Sequence, residues 1–213
     1  DWKILDIGCG YNANKYANTV CDVQDLSKFY QDKKFIQLDG KKLPFQDNVF
    51  DFVVASHVME HVEDVNFFIR ELERVAKKGY IELPTKLEDN LVFENKKDHL
   101  WHMDFDDDDL KLLISKKIQY FEPILTVASI KKLNRIFRKS FILELFWENN
   151  IDYVFSKNPV GDFEKISLFS MLVTSFKELE WPSARPARAS ISSNLYPSEI
   201  CFSALEGSVT KFE

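Results

Sequence analysis

The sequence predicts an α/β protein built on a central, mostly parallel sheet. Short apolar segments, each long enough for one buried strand, recur along residues 1–84, and a stretch with helical spacing of apolar residues separates the last two. Strands that alternate with helices form parallel sheets that helices cover on both faces. The composition agrees, because 45% hydrophobic and 29% charged residues are ordinary for a globular protein.

Five apolar segments have the character of buried strands, and a helical segment precedes the fifth. In chain order, the strand segments are residues 3–7, 19–23, 35–38, 50–56 and 79–83. The helical segment carries one apolar face, which consists of Val65, Phe68, Ile69, Leu72 and Val75. The polar stretch after the fifth strand, residues 85–98, is expected to be a loop.

An alternation of apolar and polar residues marks the next part of the chain. Residues 96–117 predict an inserted β-hairpin, because the alternation continues on both sides of Asp106 to Asp109. The apolar residues of this hairpin are too many to leave in water. We expect them to wall an acceptor pocket, to pack on the domain, or to form a homodimer contact.

The C-terminal part adds a helix, a hairpin and a tail. Residues 127–139 predict an amphipathic helix, with Ile130, Leu133 and Phe137 on its apolar face. Residues 141–147 and 151–155 predict an antiparallel hairpin around a turn with two asparagines. A last helix is expected from Asp162 to residue 181, which closes a domain of residues 1–181. Residues 182–213 are rich in Pro, Ser, Ala and Arg and are expected to be a flexible extension.

Charge and cysteine content narrow the classes of partner. Acidic residues outnumber basic ones by 34 to 28, which gives a net charge of −6 and disfavours nucleic acid as a partner. No stretch approaches the ~20 apolar residues of a membrane span, and the 3 cysteines lack metal-site spacing. His99 and His102 lie near the hairpin aspartates, but proximity in sequence does not give the convergent geometry of a metal site. We therefore expect a cytoplasmic protein without a bound metal.

A glycine-rich turn follows the first predicted strand. In Asp6-Ile7-Gly8-Cys9-Gly10, the glycines let the backbone approach a ligand closely and point N–H groups toward it. The turn also fits the dinucleotide pattern G-x-G-x-x-G/A, with Asp22 or Asp25 where a ribose-binding acid belongs. Asp6 distinguishes the two cofactor classes, because a carboxylate repels a pyrophosphate and attracts the ammonium of an amino-acid-bearing cofactor. Asp6 therefore favours S-adenosylmethionine over NAD.

Two further motifs follow the turn in order. They are Asp39-Gly40 through Leu43-Pro44-Phe45 to Asp47-Asn48-Val49-Phe50-Asp51-Phe52-Val53, and Ser56-His57-Val58-Met59-Glu60-His61. With Ile4-Leu5-Asp6-Ile7-Gly8-Cys9-Gly10, they resemble the class I S-adenosylmethionine-dependent methyltransferases, in particular the small-molecule branch with the pattern L-D-x-G-C-G. The resemblance covers residues 3–84 and implies a Rossmann-like fold with the antiparallel C-terminal hairpin. It also implies an N-terminal cap of helices, which this chain is expected to lack.

The resemblance assigns S-adenosylmethionine-binding roles to the turn and to the strand ends. The implied set is Asp6, Gly8, Cys9, Gly10, Asp22, Asp39, Gly40, Ser56 and His57. In that set the turn faces the methionine part, Asp39 takes the adenine amino group, and Ser56 with His57 lines the floor near the sulfonium. Asp22 binds the ribose hydroxyls, with Asp25 as the alternative because the connection after Gly10 is short.

The expected reaction is methyl transfer to a small-molecule or glycan acceptor, with oxygen as the acceptor atom. Loss of a proton assists attack by a hydroxyl, and His57 or His61 has a reference pKa near neutrality that suits a base. Three alternatives stay open, which are methylation of RNA or protein, an NAD-binding Rossmann enzyme, and a non-catalytic module that binds S-adenosylmethionine.

Overall fold

The computed structural model describes residues 2–40 and 42–156. They divide into two compact units, of which the first holds residues 2–82 and 145–151 and the second holds residues 83–144 and 152–156. The helix predicted from Asp162 and the extension of residues 182–213 lie outside the described residues. None of the described helices is both long and apolar enough to cross a membrane.

A six-stranded sheet in the order β3-β2-β1-β4-β5-β8 forms the core of the first unit. Its strands are β1 (Ile4–Ile7), β2 (Thr19–Asp22), β3 (Lys34–Gln37), β4 (Phe52–Ser56), β5 (Lys78–Pro84) and β8 (Ile142–Glu148). The first five are parallel, and β8 is the antiparallel edge strand. All residues of β1 and β2 are buried, which is typical of strands inside a parallel sheet and explains their continuous apolar runs. The predicted mostly parallel α/β sheet is confirmed.

One α-helix lies among the described residues of the first unit, and it covers the stretch for which the sequence predicts an apolar helical face. Helix α1 (Val65–Val75) is capped by Asp64, whose side chain accepts a hydrogen bond from the backbone N–H of Phe67 at 2.9 Å. All five residues of the predicted apolar face are buried. The helical periodicity therefore identified both the element and its packed side.

Helices on both faces of the sheet were predicted, and this prediction is wrong for the described residues of the first two crossovers. Turns, not helices, connect β1 to β2 and β2 to β3. Eleven residues separate each pair of strands, and parallel crossovers that contain a helix need a dozen or more. Asn18 ties the first connection to the sheet instead, because its side chain accepts a hydrogen bond from Ile4 N–H at 3.0 Å.

The second unit contains a three-stranded sheet in the order β6-β7-β9. Strands β6 (Trp101–Asp106) and β7 (Lys111–Lys116) pair antiparallel within the segment 96–117. Strand β9 (Tyr153–Phe155) pairs parallel to β7, so the second predicted hairpin does not form. The turn itself is present, with Asn149 at φ 70°, but β8 and β9 join different sheets. The apolar side chains of β7 supply the competing partner, since Leu112 is in register with Tyr153.

The predicted loop of residues 85–98 instead contains α2 (Lys86–Leu91) and α3 (Asn95–Asp98). The side chain of Thr85 accepts the backbone N–H of Glu88, as in a Thr-x-x-Glu capping box. This capping box indicates a helix, although the polar composition of the segment favoured a loop. Helix α4 (Val127–Phe141) confirms the predicted amphipathic helix, but Phe137 has non-helical angles and is 38% exposed, so it does not belong to the buried face.

An ion pair on α1 holds the Leu43-Pro44-Phe45 segment in place. Glu71 accepts the backbone N–H of Leu43 at 2.7 Å, and its own carboxylate receives Arg74 Nε at 2.7 Å. Arg74 also donates to the carbonyl oxygens of Leu43 at 3.0 Å and Phe45 at 2.7 Å. The pKa of Glu71 lies below its usual range, mainly because Arg74 donates hydrogen bonds to the carboxylate.

Replacing Arg74 tests whether this ion pair holds the Leu43-Pro44-Phe45 segment. Arg74→Ala leaves two carbonyl groups without this donor and Glu71 with the Leu43 N–H alone, so we expect the free energy of unfolding to fall by about 2–3 kcal/mol. Urea unfolding followed by tryptophan fluorescence measures the change. Arg70→Ala, on an exposed position of the same helix, is the control and should have little effect. Equal effects of the two substitutions would contradict a structural role for Arg74.

Candidate functional site

A cavity of about 850 Å³ lies in the first unit at the carboxyl ends of its parallel strands. Ligands of open α/β sheets bind outside this edge. The residues that line the cavity include, from the predicted cofactor set, Gly8, Asp22, Asp39, Gly40 and His57. Asp6, Cys9, Gly10 and Ser56 do not line it. The structure therefore brings five residues of that set to one wall.

The glycine-rich turn has a backbone that requires glycine at its first position. Gly8 has φ +64°, and a Cβ added there would lie 2.5 Å from Val58 Cγ2, which belongs to a residue of the cavity wall. The backbone N–H of Gly8 donates to the carbonyl oxygen of Cys21 at 2.8 Å. The turn is thus held close to β2. A side chain at Gly8 would displace Val58 in the cavity wall.

Asp22 joins the glycine turn to the end of β2. One carboxylate oxygen accepts the backbone N–H of Gly10 at 2.9 Å, and the other accepts that of Gln24 at 2.9 Å. Asp25 is exposed, accepts the N–H of Ser27 at 3.0 Å, and is absent from the cavity wall. Geometry therefore favours Asp22 over Asp25 as the ribose-binding acid, an assignment that stays a prediction.

Tyr30 also fixes the turn, and the sequence patterns did not single it out. Its hydroxyl donates to the carbonyl oxygen of Gly10 at 2.8 Å and accepts the N–H of Ala13 at 2.9 Å. Burial raises the pKa of Tyr30 to about 12. A buried tyrosine hydroxyl with both a donor and an acceptor partner is well suited to replace part of a crossover helix as an anchor.

Asp6 lies against the turn and away from the cavity wall. Its carboxylate is 4% exposed and accepts the backbone N–H of Asn14 at 2.6 Å. Burial raises the pKa of Asp6 to about 7, although the hydrogen bond from Asn14 and the charge of Lys33 oppose the rise. The role of Asp6 at a cofactor ammonium stays a prediction. In this structure Asp6 binds the backbone N–H of Asn14, which follows the glycine-rich turn.

His57 is held between two glutamates at the floor of the cavity. Its Nδ1 lies 3.2 Å from Glu60 Oε1, and its Nε2 lies 3.3 Å from Glu82 Oε1. Its backbone has φ 54°, and its N–H donates to the carbonyl oxygen of Glu82 at 2.9 Å. A non-glycine residue in this region is strained, and such strain clusters at functional sites.

The two glutamates decide the charge of His57. Burial lowers its pKa, but hydrogen bonds to Glu60 and Glu82 outweigh burial and raise the pKa to about 10. The imidazole is therefore protonated at neutral pH and has no lone pair with which to accept a proton. This state does not favour the predicted use of His57 as a base. His61 is exposed and lines the same cavity, and its catalytic role stays a prediction.

Glu82 extends the contacts of His57 into the sheet. Tyr80 donates its hydroxyl to Glu82 Oε2 at 2.7 Å, and Ser56 Oγ lies 3.3 Å from Glu82 Oε1. Glu82 and Glu60 are the members of this cluster that sequence reasoning missed. Glutamate at the end of a buried strand was the available signal, because a buried carboxylate needs partners.

A separate polar cluster lies inside the second unit. Asp89 Oδ1 is 2.5 Å from His99 Nδ1 and 3.0 Å from Lys117 Nζ, and Asp89 Oδ2 is 2.8 Å from His102 Nε2. Burial raises the pKa of Asp89, but its histidine partners and Lys117 outweigh burial and hold that pKa well below its usual range. The two histidines thus meet Asp89, whereas the hairpin acid Asp104 pairs with Lys86 at 3.0 Å.

Comparison with known proteins identifies relatives of this chain. Residues 5–81 match the family described as a methyltransferase domain. An uncharacterized protein of Methanocaldococcus jannaschii is 28% identical over an alignment of 151 residues, and the match covers 64% of this chain and 67% of that protein. The demethylmenaquinone methyltransferase of Corynebacterium urealyticum is 33% identical over an alignment of 87 residues, and the match covers 36% of this chain and 38% of the relative.

Other matches are also partial. The ubiquinone biosynthesis O-methyltransferase of Pelagibacter ubique is 27% identical over an alignment of 96 residues, and the match covers 37% of this chain and 39% of the relative. A solved S-adenosylmethionine-dependent methyltransferase from Mesorhizobium loti is 19% identical, with a TM-score of 0.36 over 41% of this chain and 49% of that one. The chain thus spans well under half the length of the two named curated methyltransferases.

The buried carboxyl of Asp6 predicts a pH-dependent stability. Its pKa of about 7 in the folded protein exceeds the ordinary 3.8, so its stabilising contribution is complete below pH 4 and is lost as the pH rises through 7. Asp6→Asn stays neutral and should lack this loss. We expect the melting temperature of the wild type, relative to Asp6→Asn, to fall between pH 5 and pH 8. The exposed control Asp25→Asn should show no such trend, and parallel melting curves for wild type and Asp6→Asn would contradict the raised pKa.

Proposed function

We propose that the chain is a class I S-adenosylmethionine-dependent methyltransferase that transfers a methyl group to a small-molecule acceptor, and the match of residues 5–81 to a methyltransferase domain supports this. The observation that carries the proposal is the cavity at the carboxyl edge of the parallel sheet, lined by Gly8 of the glycine turn and by Asp22 and Asp39 after two successive strands. Its volume of about 850 Å³ is in the range of small-molecule sites.

The chemistry of the wall fits this cofactor better than NAD. Asp22 and Asp39 offer carboxylates that accept hydrogen bonds from hydroxyl and amino groups. A side chain at Gly8 would fill the space next to the wall residue Val58. No Lys or Arg lies among the described residues that line the cavity, and an anionic pyrophosphate would need such groups or free N–H donors. The ribose and adenine roles of Asp22 and Asp39 are part of the proposal.

The cofactor supplies an electrophilic methyl group on a sulfonium, so holding the acceptor in line provides much of the rate. In the proposed arrangement, His57 lines the cavity near the sulfonium, and Ser56, which does not line the cavity, precedes it at the end of β4. His57 carries a proton at neutral pH because its pKa is about 10, so it acts there by orienting groups and by its charge. With a hydroxyl acceptor, the O–C bond would form as the C–S bond of the cofactor breaks, and water or His61, which lines the cavity, would take the proton.

The named relatives support a small-molecule acceptor and leave the acceptor atom open. They include the ubiquinone biosynthesis O-methyltransferase, the ajmaline N-methyltransferase of Rauvolfia serpentina and the sterol 24-C-methyltransferase of Gibberella zeae. These names describe methylation at oxygen, nitrogen and carbon in small molecules. We retain oxygen, in a small molecule or a glycan, as the proposed acceptor atom. RNA, protein and NAD-linked functions rank below it because the chain and the cavity wall are acidic.

Calorimetry tests the cofactor. We expect S-adenosylhomocysteine, the demethylated product, to bind the full chain more tightly than NAD does, because the described residues of the wall include no Lys or Arg to hold a pyrophosphate. Tighter binding of NAD would overturn the proposal. A non-catalytic module would bind the product equally well, so release of labelled methyl to extracted small molecules distinguishes an enzyme from a binding protein.

Asp22 and Asp25 form a matched pair for the ribose assignment. Loss of charge-assisted hydrogen bonds costs ~1.5–3 kcal/mol, so Asp22→Ala should weaken S-adenosylhomocysteine binding about tenfold or more. Asp25→Ala should change it little, because Asp25 is exposed and does not line the cavity. Since Asp22 also holds Gly10 and Gln24, circular dichroism must show both variants folded. The reverse ranking would assign the role to Asp25.

A further inference from the structure

We infer that Tyr30 is a positioning residue of the proposed cofactor site, because its hydroxyl fixes Gly10 and, through Gly10, the carboxylate of Asp22. Tyr30 itself does not line the cavity, so its effect on a bound cofactor passes through these neighbours. The inference rests on the proposed methyltransferase function and adds a residue outside the predicted cofactor set.

The Tyr30 hydroxyl takes the place of a helical hydrogen bond after the glycine-rich turn. In an α-helix with Cys9 as its N-cap, the backbone N–H of Ala13 would donate to the carbonyl oxygen of Cys9. That carbonyl oxygen instead accepts the N–H of Asn12 at 3.1 Å, which closes a single turn. The N–H of Ala13 donates to the Tyr30 hydroxyl at 2.9 Å. A side chain distant in sequence thus supplies the acceptor that a crossover helix would have supplied.

Gly10 connects Tyr30 to the cavity wall. Its carbonyl oxygen accepts the Tyr30 hydroxyl at 2.8 Å, and its N–H donates to Asp22 Oδ2 at 2.9 Å. The peptide groups on both sides of Gly10 are therefore held, at a φ of +48°. Glycine opposes rotation of its backbone less than any other residue, so without the Tyr30 bond the turn can shift. The N–H that orients Asp22, a residue of the cavity wall, then shifts with it.

The ring of Tyr30 has a separate role from its hydroxyl. Tyr30 is 7% exposed and belongs to a core cluster with Ile4, Val20 and Phe52. Its ring is nearly perpendicular to that of Phe29, with the centroids 4.9 Å apart. Phenylalanine at this position keeps the ring and its packing and removes only the hydroxyl. One substitution therefore separates the position of the turn from the packing of the core.

Removal of the hydroxyl tests the inference. Calorimetry on the full chain, well below its melting temperature, should show that Tyr30→Phe binds S-adenosylhomocysteine about fivefold more weakly than the wild type. Tyr16→Phe removes a hydroxyl from an exposed tyrosine outside the cavity wall and should leave the affinity unchanged. Ile69→Val alters the buried core on α1 and should lower the melting temperature without changing the affinity. Equal affinities of Tyr30→Phe and the wild type would overturn the inference.

A double-mutant cycle tests the route through Asp22. In the Asp22→Ala background, Tyr30→Phe should weaken binding less than about twofold, because the carboxylate that Tyr30 positions is gone. The same factor in both backgrounds would contradict this route. An unfolded Tyr30→Phe would also reject the inference, since the hydroxyl would then maintain the whole fold and not the site. Failure of S-adenosylhomocysteine to bind the wild type would instead reject the proposed function, so the two failures are distinguishable.

Discussion

The architecture of the first unit depends on the hydrogen bonds that fix its glycine turn to the sheet. Parallel strands are ordinarily joined by a helix that packs on the sheet, and the connection from β1 to β2 has none. Buried polar groups take over this task, since Asp22, Tyr30 and Asp6 accept or exchange hydrogen bonds with the backbone of the turn. A buried acceptor without a donor is costly, so the turn has few alternative positions. The part of the cavity wall that the turn forms is restricted in the same way.

The same principle sets the electrostatics of the cavity floor. His57 stands at a positive φ and contacts two carboxylates, whose hydrogen bonds raise its pKa to about 10 and keep it protonated at neutral pH. Acid and base properties at this site therefore follow from the packing of β4 against β5, which brings Glu82 into register with Ser56. A histidine at this position suggests a base when only the residue type is considered. Its two glutamate neighbours instead keep the imidazole of His57 positively charged.

Sequence patterns predicted the parts of the fold that depend on periodicity. The five parallel strands, α1 and α4 were recognised because burial imposes a repeat on their apolar residues. Pairing was less accessible, as β9 shows, because the choice between β8 and β7 depends on packing between residues distant in the chain. The motifs identified the acidic residues at the strand ends that line the cavity. Tyr30, Glu60 and Glu82 were not identified, because hydrogen bonds between buried groups produce no regular spacing of residues in the sequence.

The cluster around Asp89 joins α2 to three other parts of the second unit. Its three cationic or donor partners come from the end of α3, from β6 and from the segment after β7, so no one of these elements can detach without exposing or orphaning a buried charge. Local fraying is thereby coupled to loss of the whole core. The backbone amides of α2 and of β6 should therefore exchange with solvent deuterium through one shared opening event, at similar rates, and not element by element.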